Sequence, residues 1–120
     1  MDKFTYEFAH LGVNGASKEE ALRFLRFCQE ILHFKDVRET PVSYFIADEK
    51  MELMKEGGEG TKGHIGFFVS PDLMSCLKHL EELGYAVEWE HARKNSDGTI
   101  RMVYLRDEFN GFKIHFAQKP

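Results

Sequence analysis

One short phrase occurs twice in this chain of 120 residues and constrains its fold more than any other feature. Residues 8–13 read FAHLGV and residues 62–69 read KGHIGFFV, so each copy sets a histidine and a glycine among apolar residues. A repeat on this scale indicates that the chain is built from two copies of one supersecondary unit. The two histidines, His10 and His64, therefore occupy equivalent positions in the two copies.

The order of the predicted elements repeats with this phrase. In the first half, a strand over 4–14 precedes a helix that begins at Ser17, and three short strands follow. In the second half, a strand over 62–69 precedes a helix capped by Ser70, and three more strands follow, the first of them over 85–90. Both halves thus read β-α-β-β-β. We expect a single domain with module one at 1–56, a glycine-rich connector at 57–61 and module two at 62–120.

Composition limits the class of protein. The chain is 42% hydrophobic with a formal net charge of -4, and it has no long run of Lys or Arg, so we expect no nucleic-acid partner. No apolar run approaches the roughly 20 residues that span a bilayer, and the first residues lack the features of a signal peptide. Cys28 and Cys76 both fall on predicted helix faces. We therefore expect a cytoplasmic protein with reduced thiols and no membrane partner.

Four of the predicted strands each send apolar side chains to one face and one potential ligand to the other. The first strand carries His10 on the same face as the aromatic residues that precede it, and the fifth carries His64. The ends of the two halves align as YFIADEKMEL and VYLRDEFNGFKIHF once a turn insertion is allowed, which sets Glu52 opposite His115. If the two modules form one curved sheet, all four side chains share a cavity.

Three neutral imidazoles and one carboxylate form a ligand set that suits a borderline divalent cation. We therefore expect one divalent metal ion, which could be Zn, Ni, Co, Fe or Mn, whereas calcium prefers oxygen ligands alone. Such an ion could polarise two adjacent substrate oxygens or acidify a bound water. The alternative is that these four residues are unrelated polar groups on solvated strand faces.

The chain resembles the vicinal oxygen chelate superfamily, which includes glyoxalase I, bleomycin-resistance proteins and extradiol dioxygenases. The resemblance covers nearly the whole chain and rests on AHLGV, on GHIGFFV, on NGFKIHF near the end and on the paired βαβββ order. It implies an α+β fold in which two βαβββ modules form an incomplete mixed-sheet barrel around a metal, and it implies a homodimer. It also implies that the first and last strands of each module supply the metal ligands, which here are His10, Glu52, His64 and His115.

One position departs from the family pattern, because the last ligand is commonly a glutamate that also serves as a base, and here it is His115. The resemblance implies a glyoxalase-like metal-dependent lyase or isomerase acting on a small-molecule substrate with vicinal oxygens, in which Glu52 or His115 moves the proton. Two alternatives stay open, namely a binding protein of the bleomycin-resistance type that sequesters a small molecule, and a metal-dependent dioxygenase. Residues that could line the substrate cavity, although core packing or surface exposure explains them as well or better, are Phe45, Phe68, Trp89, Arg101 and Tyr104.

Overall fold

The computed structural model describes residues 3–120, whose elements follow the order βαβββ twice. The first half contains β1 (Thr5–Val13), α1 (Lys18–Glu30), β2 (Arg38–Glu39), β3 (Ser43–Ile46) and β4 (Met51–Met54). The second half contains β5 (Gly63–Ser70), α2 (Leu73–Glu82), a 3₁₀ turn (Trp89–His91), β6 (Arg93–Lys94), β7 (Ile100–Phe109) and β8 (Phe112–Gln118). Within residues 3–120, neither helix has the length and apolar character that crossing a membrane requires.

All eight strands belong to one mixed sheet that does not close, in the order β2-β3-β4-β1-β5-β8-β7-β6. The two halves join where β1 pairs antiparallel with β5. In each half the first strand also pairs parallel with the last, β1 with β4 and β5 with β8. The predicted α+β class and the incomplete mixed-sheet barrel are confirmed. The four strands that carry the predicted ligands are therefore neighbours at the centre of the sheet.

Both helices pack on the same face of the sheet as the apolar strand residues. Leu77 of α2 is fully buried in a cluster with Val69 of β5 and Val103 of β7. Leu25 of α1 is buried in a second cluster with Leu53 of β4. Full burial of side chains of this size contributes about 1.5–3 kcal/mol each. Because the helices occupy this face, the opposite face of the sheet is the one that can hold a site.

The alternation predicted for β1 is wrong before Ala9. The pairing of β1 with β5 shifts register between Phe8 and His10, as a β-bulge does. Tyr6 consequently lies on the helix side, where its hydroxyl is 3.4 Å from Sγ of Cys76 on α2. The strand alternates regularly after the bulge, so His10 faces away from the helices although the aromatic residues before it do not.

Two further expectations differ from the structure. Residues 85–90 are not a strand, because Val87 forms only an isolated bridge and the 3₁₀ turn begins at Trp89. Val87 is buried in the cluster under α2, so the apolar pattern of this segment reflects core packing and not strand pairing. The cap of α2 is Asp72 and not Ser70, since the Asp72 carboxylate accepts the N–H of Ser75 at 2.9 Å.

Candidate metal centre

Four polar side chains from the four central strands converge on the face of the sheet opposite the helices. Nε2 of His10 lies 3.1 Å from Nε2 of His64 and 3.4 Å from Nε2 of His115. Oε1 of Glu52 lies 2.9 Å from Nε2 of His64 and 3.4 Å from Nε2 of His10. The three imidazoles, which come from β1, β5 and β8, thus lie close enough together to hold a metal ion.

The spacing of these atoms fits a shared metal. Ligand atoms about 2.1 Å from one ion are about 3.4 Å apart in tetrahedral geometry and about 3.0 Å apart in octahedral geometry. The contacts within the cluster fall between 2.9 and 3.4 Å. Hydrogen bonds alone do not account for the short distances between the three Nε2 atoms. Each neutral imidazole has a single N–H, so three ring nitrogens cannot all donate to and accept from one another. The donor set of three imidazoles and one carboxylate is typical of borderline divalent cations.

A glycine two residues after each of the two repeated histidines, His10 and His64, makes room for the cluster. A Cβ on Gly12 would lie 2.0 Å from Cε1 of His64, and a Cβ on Gly66 would lie 2.3 Å from Cε1 of His115. Non-bonded carbon atoms are normally about 3.5–4.0 Å apart, so no larger residue fits at either position unless an imidazole moves. The role of these glycines was not predicted, although the repeated His-x-Gly order was the signal that could have identified it.

Glu52 is held in its ionised form by three neighbours. The hydroxyl of the fully buried Ser43 donates to Oε2 of Glu52 at 2.7 Å, while Oε1 contacts His10 and His64. Burial acts to raise the pKa of Glu52, but the hydrogen bonds with His10, His64 and Ser43 outweigh it and hold that pKa well below its usual range. A carboxylate must be ionised to bind a metal, so the site is prepared for one. Nothing in the sequence marks Ser43 as part of the site.

His115 is buried and neutral beside Tyr104. Burial and then the charges of His10 and His64 lower the pKa of His115 to about 3. The Tyr104 ring packs nearly perpendicular to the His115 ring with centroids 5.1 Å apart, and to the His64 ring at 6.1 Å. Nδ1 of His64 and Nδ1 of His115 are buried without a hydrogen-bond partner among the described residues. Packing against Tyr104 and the glycine backbone therefore orients these two rings.

A cavity of about 390 Å³ opens beside the cluster. His10 and His115 form its inner end, Phe45 and Phe68 form apolar walls, and Arg38 is among the charged residues of its rim. The Phe45 ring packs nearly perpendicular to that of His10, with centroids 5.5 Å apart. The cluster thus presents two imidazoles to any molecule in the cavity, whose volume is typical of small-molecule sites.

A larger open groove of about 750 Å³ lies along α1, and its lining includes Phe24, Phe27, Glu20 and Arg23. It contains none of the four clustered ligands. Its side chains also do not converge on one point as the imidazoles do. Among the described residues, the cluster of candidate ligands therefore lies at the smaller cavity and not at this groove.

The predicted cavity residues divide into two groups. Phe45 and Phe68 line the cavity, and Tyr104 touches the cluster from its other side. Trp89 lies outside the cavity, because the 3₁₀ turn directs it toward the helix side, where its Nε1 donates to Glu81 of α2 at 2.7 Å. Arg101 is also outside, exposed on β7. Trp89, Arg101 and Tyr104 are therefore not among the residues that line this cavity.

No protein-family model and no curated protein matches the chain. Among solved structures, the crystal structure of the hypothetical protein BH1468 from Bacillus halodurans C-125 is similar, with a TM-score of 0.67. The alignment covers 97% of this chain and 96% of that chain at 18% sequence identity. At this identity the similarity shows a shared fold alone, because one fold serves many functions.

Proposed function

We propose that this protein is a glyoxalase-like metal-dependent lyase or isomerase that acts on a small molecule with vicinal oxygens. The observation that supports this function is the convergence of His10, Glu52, His64 and His115 beside a small cavity, which His10 and His115 line. These residues would hold one Zn, Ni, Co, Fe or Mn ion through the Nε2 atoms and the carboxylate. Such an ion supplies Lewis-acid polarisation of two adjacent substrate oxygens.

The residues of the cluster differ in their access to a substrate. His115 lines the cavity, whereas Glu52 lies behind the imidazoles and is bonded to Ser43. A general base must come within hydrogen-bond reach of the proton that it removes. His115 is therefore better placed than Glu52 to accept a proton, and it would do so at Nε2, since its Nδ1 is buried. A proton on Nε2 would take that atom away from the metal. His115 would then be a fourth ligand only before proton transfer, and His10, Glu52 and His64 would hold the ion throughout.

Each alternative function has one observation in its favour. Metal-binding histidines usually donate their second ring nitrogen to an acceptor, and Nδ1 of both His64 and His115 lacks one among the described residues, which favours a metal-free binding protein. Two histidines and one carboxylate, here His10, His64 and Glu52, form the ligand set of non-haem iron oxygenases, which favours a dioxygenase.

Metal analysis of the purified protein tests the proposal first. We expect one divalent ion per chain and isomerase or lyase activity when the loaded protein is screened against hemithioacetals and other small carbonyl substrates. His64→Ala should abolish metal binding and leave the circular dichroism spectrum unchanged. The control is His79→Ala, which changes a half-buried histidine of α2 outside the cluster. A protein that never takes up stoichiometric metal would refute the enzyme proposal. Oxygen consumption with catechols in the iron-loaded protein would favour the dioxygenase instead.

A further inference from the structure

The rim of the cavity carries a guanidinium that the proposed metal chemistry does not use. We infer that Arg38 makes this cavity a site for small molecules that carry a carboxylate in addition to the oxygens directed at the metal. This inference rests on the proposed function and adds a substrate class to it.

Arg38 is held in a fixed orientation at the cavity. Its Cζ lies 4.3 Å from the centroid of the Phe45 ring, which in turn contacts the ring of His10. Glu49 accepts hydrogen bonds from Nε of Arg38 at 3.0 Å and from its Nη2 at 2.7 Å. Glu49 thus occupies one edge of the guanidinium, and the Nη1 amino group stays available to another acceptor. A planar donor fixed in this way loses little freedom when it binds a ligand.

The turn that supplies Glu49 has an unusual backbone. Ala47, Asp48 and Glu49 have φ angles of 55°, 56° and 66°, in the left-handed region that side chains other than glycine rarely adopt. The N–H of Asp48 donates to Oδ2 of Asp36 at 2.6 Å and helps to hold the turn. Strained backbone persists only where its surroundings fix it, and it is concentrated at functional sites. Here its effect is to place Glu49 beside the guanidinium of Arg38.

The charges around the cavity favour a ligand with one negative charge. Arg38 and Lys50 are matched by Asp48 and Glu49 in the cavity lining, so these four charges cancel. An ionised Glu52 and a divalent ion would then leave the cavity with a net positive charge. One carboxylate would balance that charge and match the planar donors of a guanidinium. A dianionic phosphate would exceed that charge and leave the cavity with a net negative charge.

Two matched probes test the inference by isothermal titration calorimetry. Succinic acid monohydroxamate combines a pair of chelating oxygens with a carboxylate, and its methyl ester has the same head without the charge. We expect metal-loaded protein to bind the acid at least about tenfold more tightly than the ester. Arg38→Met, which keeps an apolar stem over Phe45, should abolish this preference. Arg101→Met, which removes an exposed arginine outside the cavity, should retain it.

The possible failures are distinguishable. Equal affinity of wild-type protein for the two probes, or a preference that persists in Arg38→Met, overturns the inference about Arg38 and leaves the metal proposal intact. If metal loading does not tighten the binding of either probe, the proposed metal function fails instead. In that case the same comparison on metal-free protein still decides the role of Arg38, because its contact with the carboxylate does not require the metal.

Discussion

Gly66→Ala should disable the proposed metal centre although it keeps all four candidate ligand residues and adds no polar group. The new Cβ would lie 2.3 Å from Cε1 and 2.6 Å from Nε2 of His115. Since carbon atoms in contact are about 3.5–4.0 Å apart, the imidazole would have to move by more than about 1 Å. A metal–nitrogen bond tolerates only about 0.2 Å, so His115 would leave the ligand set.

The magnitudes follow from opposing effects. Displacement of His115 should weaken metal binding by about 100-fold, the upper range for changes to residues that orient ligands. Overpacking should cost about 1–3 kcal/mol of stability, partly offset by about 0.5–1 kcal/mol because alanine suits a strand better than glycine. In a His115→Ala background the clash disappears and leaves only a 3.2 Å approach to Cε1 of His10, so the same Gly66→Ala change should be neutral or stabilising.

Competition with a chelating indicator would measure the metal affinity, and urea unfolding of wild type, both single variants and the double variant would measure the stabilities. The control is the sign of the effect of Gly66→Ala on the unfolding free energy. This effect should be destabilising when His115 is present and neutral or stabilising in His115→Ala, since only a clash with His115 predicts the difference. Two results would show that Gly66 does not make room for the His115 imidazole. One is a wild-type metal affinity in Gly66→Ala, and the other is an equal effect of Gly66→Ala on the unfolding free energy with and without His115→Ala.

Three further predictions concern groups around the cluster. Ser43→Ala removes the 2.7 Å hydrogen bond to Glu52 and should cost about 1–2 kcal/mol in urea unfolding and about tenfold in metal affinity; no change in either quantity would contradict it. Lys113→Met breaks the largely buried 3.0 Å ion pair with Glu88 and should cost about 2–3 kcal/mol in urea unfolding, where a loss below about 0.5 kcal/mol would be evidence against the pair. In the metal-free protein, His115 takes up a proton near pH 6.5 when the chain is unfolded but only near pH 3 when it is folded. The unfolding free energy should therefore fall as the pH decreases from about 6.5 to about 3, by up to about 5 kcal/mol. His115→Gln should flatten that pH dependence in urea unfolding, and a profile equal to that of wild type would refute the assignment.

The central strands were predictable because alternation is a local property. His10 and His64 lie at equivalent places in two copies of one phrase, and each is followed by regular alternation. The parallel pairing of first and last strands within each half then brings Glu52 and His115 beside them. The convergence of the four side chains therefore required only the repeat and the strand period.

The features that sequence reasoning missed depend on contacts between distant segments. The apolar residues of β1 stand at even positions before the bulge (4, 6 and 8) and at odd positions after it (9, 11 and 13), but this phase change was interpreted as the two faces of one regular strand. Trp89 reads as a strand residue but turns toward α2, because its segment lacks a continuous strand partner. The pairing of Arg38 with Glu49 depends on a left-handed turn that non-glycine residues rarely form.

The line along which β1 pairs with β5 divides the cluster of candidate ligands equally, with His10 and Glu52 on one side and His64 and His115 on the other. Neither half has more than two of the four groups, so the site exists only where the halves meet. A chain cut within 57–61 would become two fragments whose association is linked to metal binding, and free metal concentration would set their apparent affinity. In the intact chain the connector supplies a high effective concentration of one half for the other. Chelation should therefore dissociate the cut protein and leave the uncut one assembled.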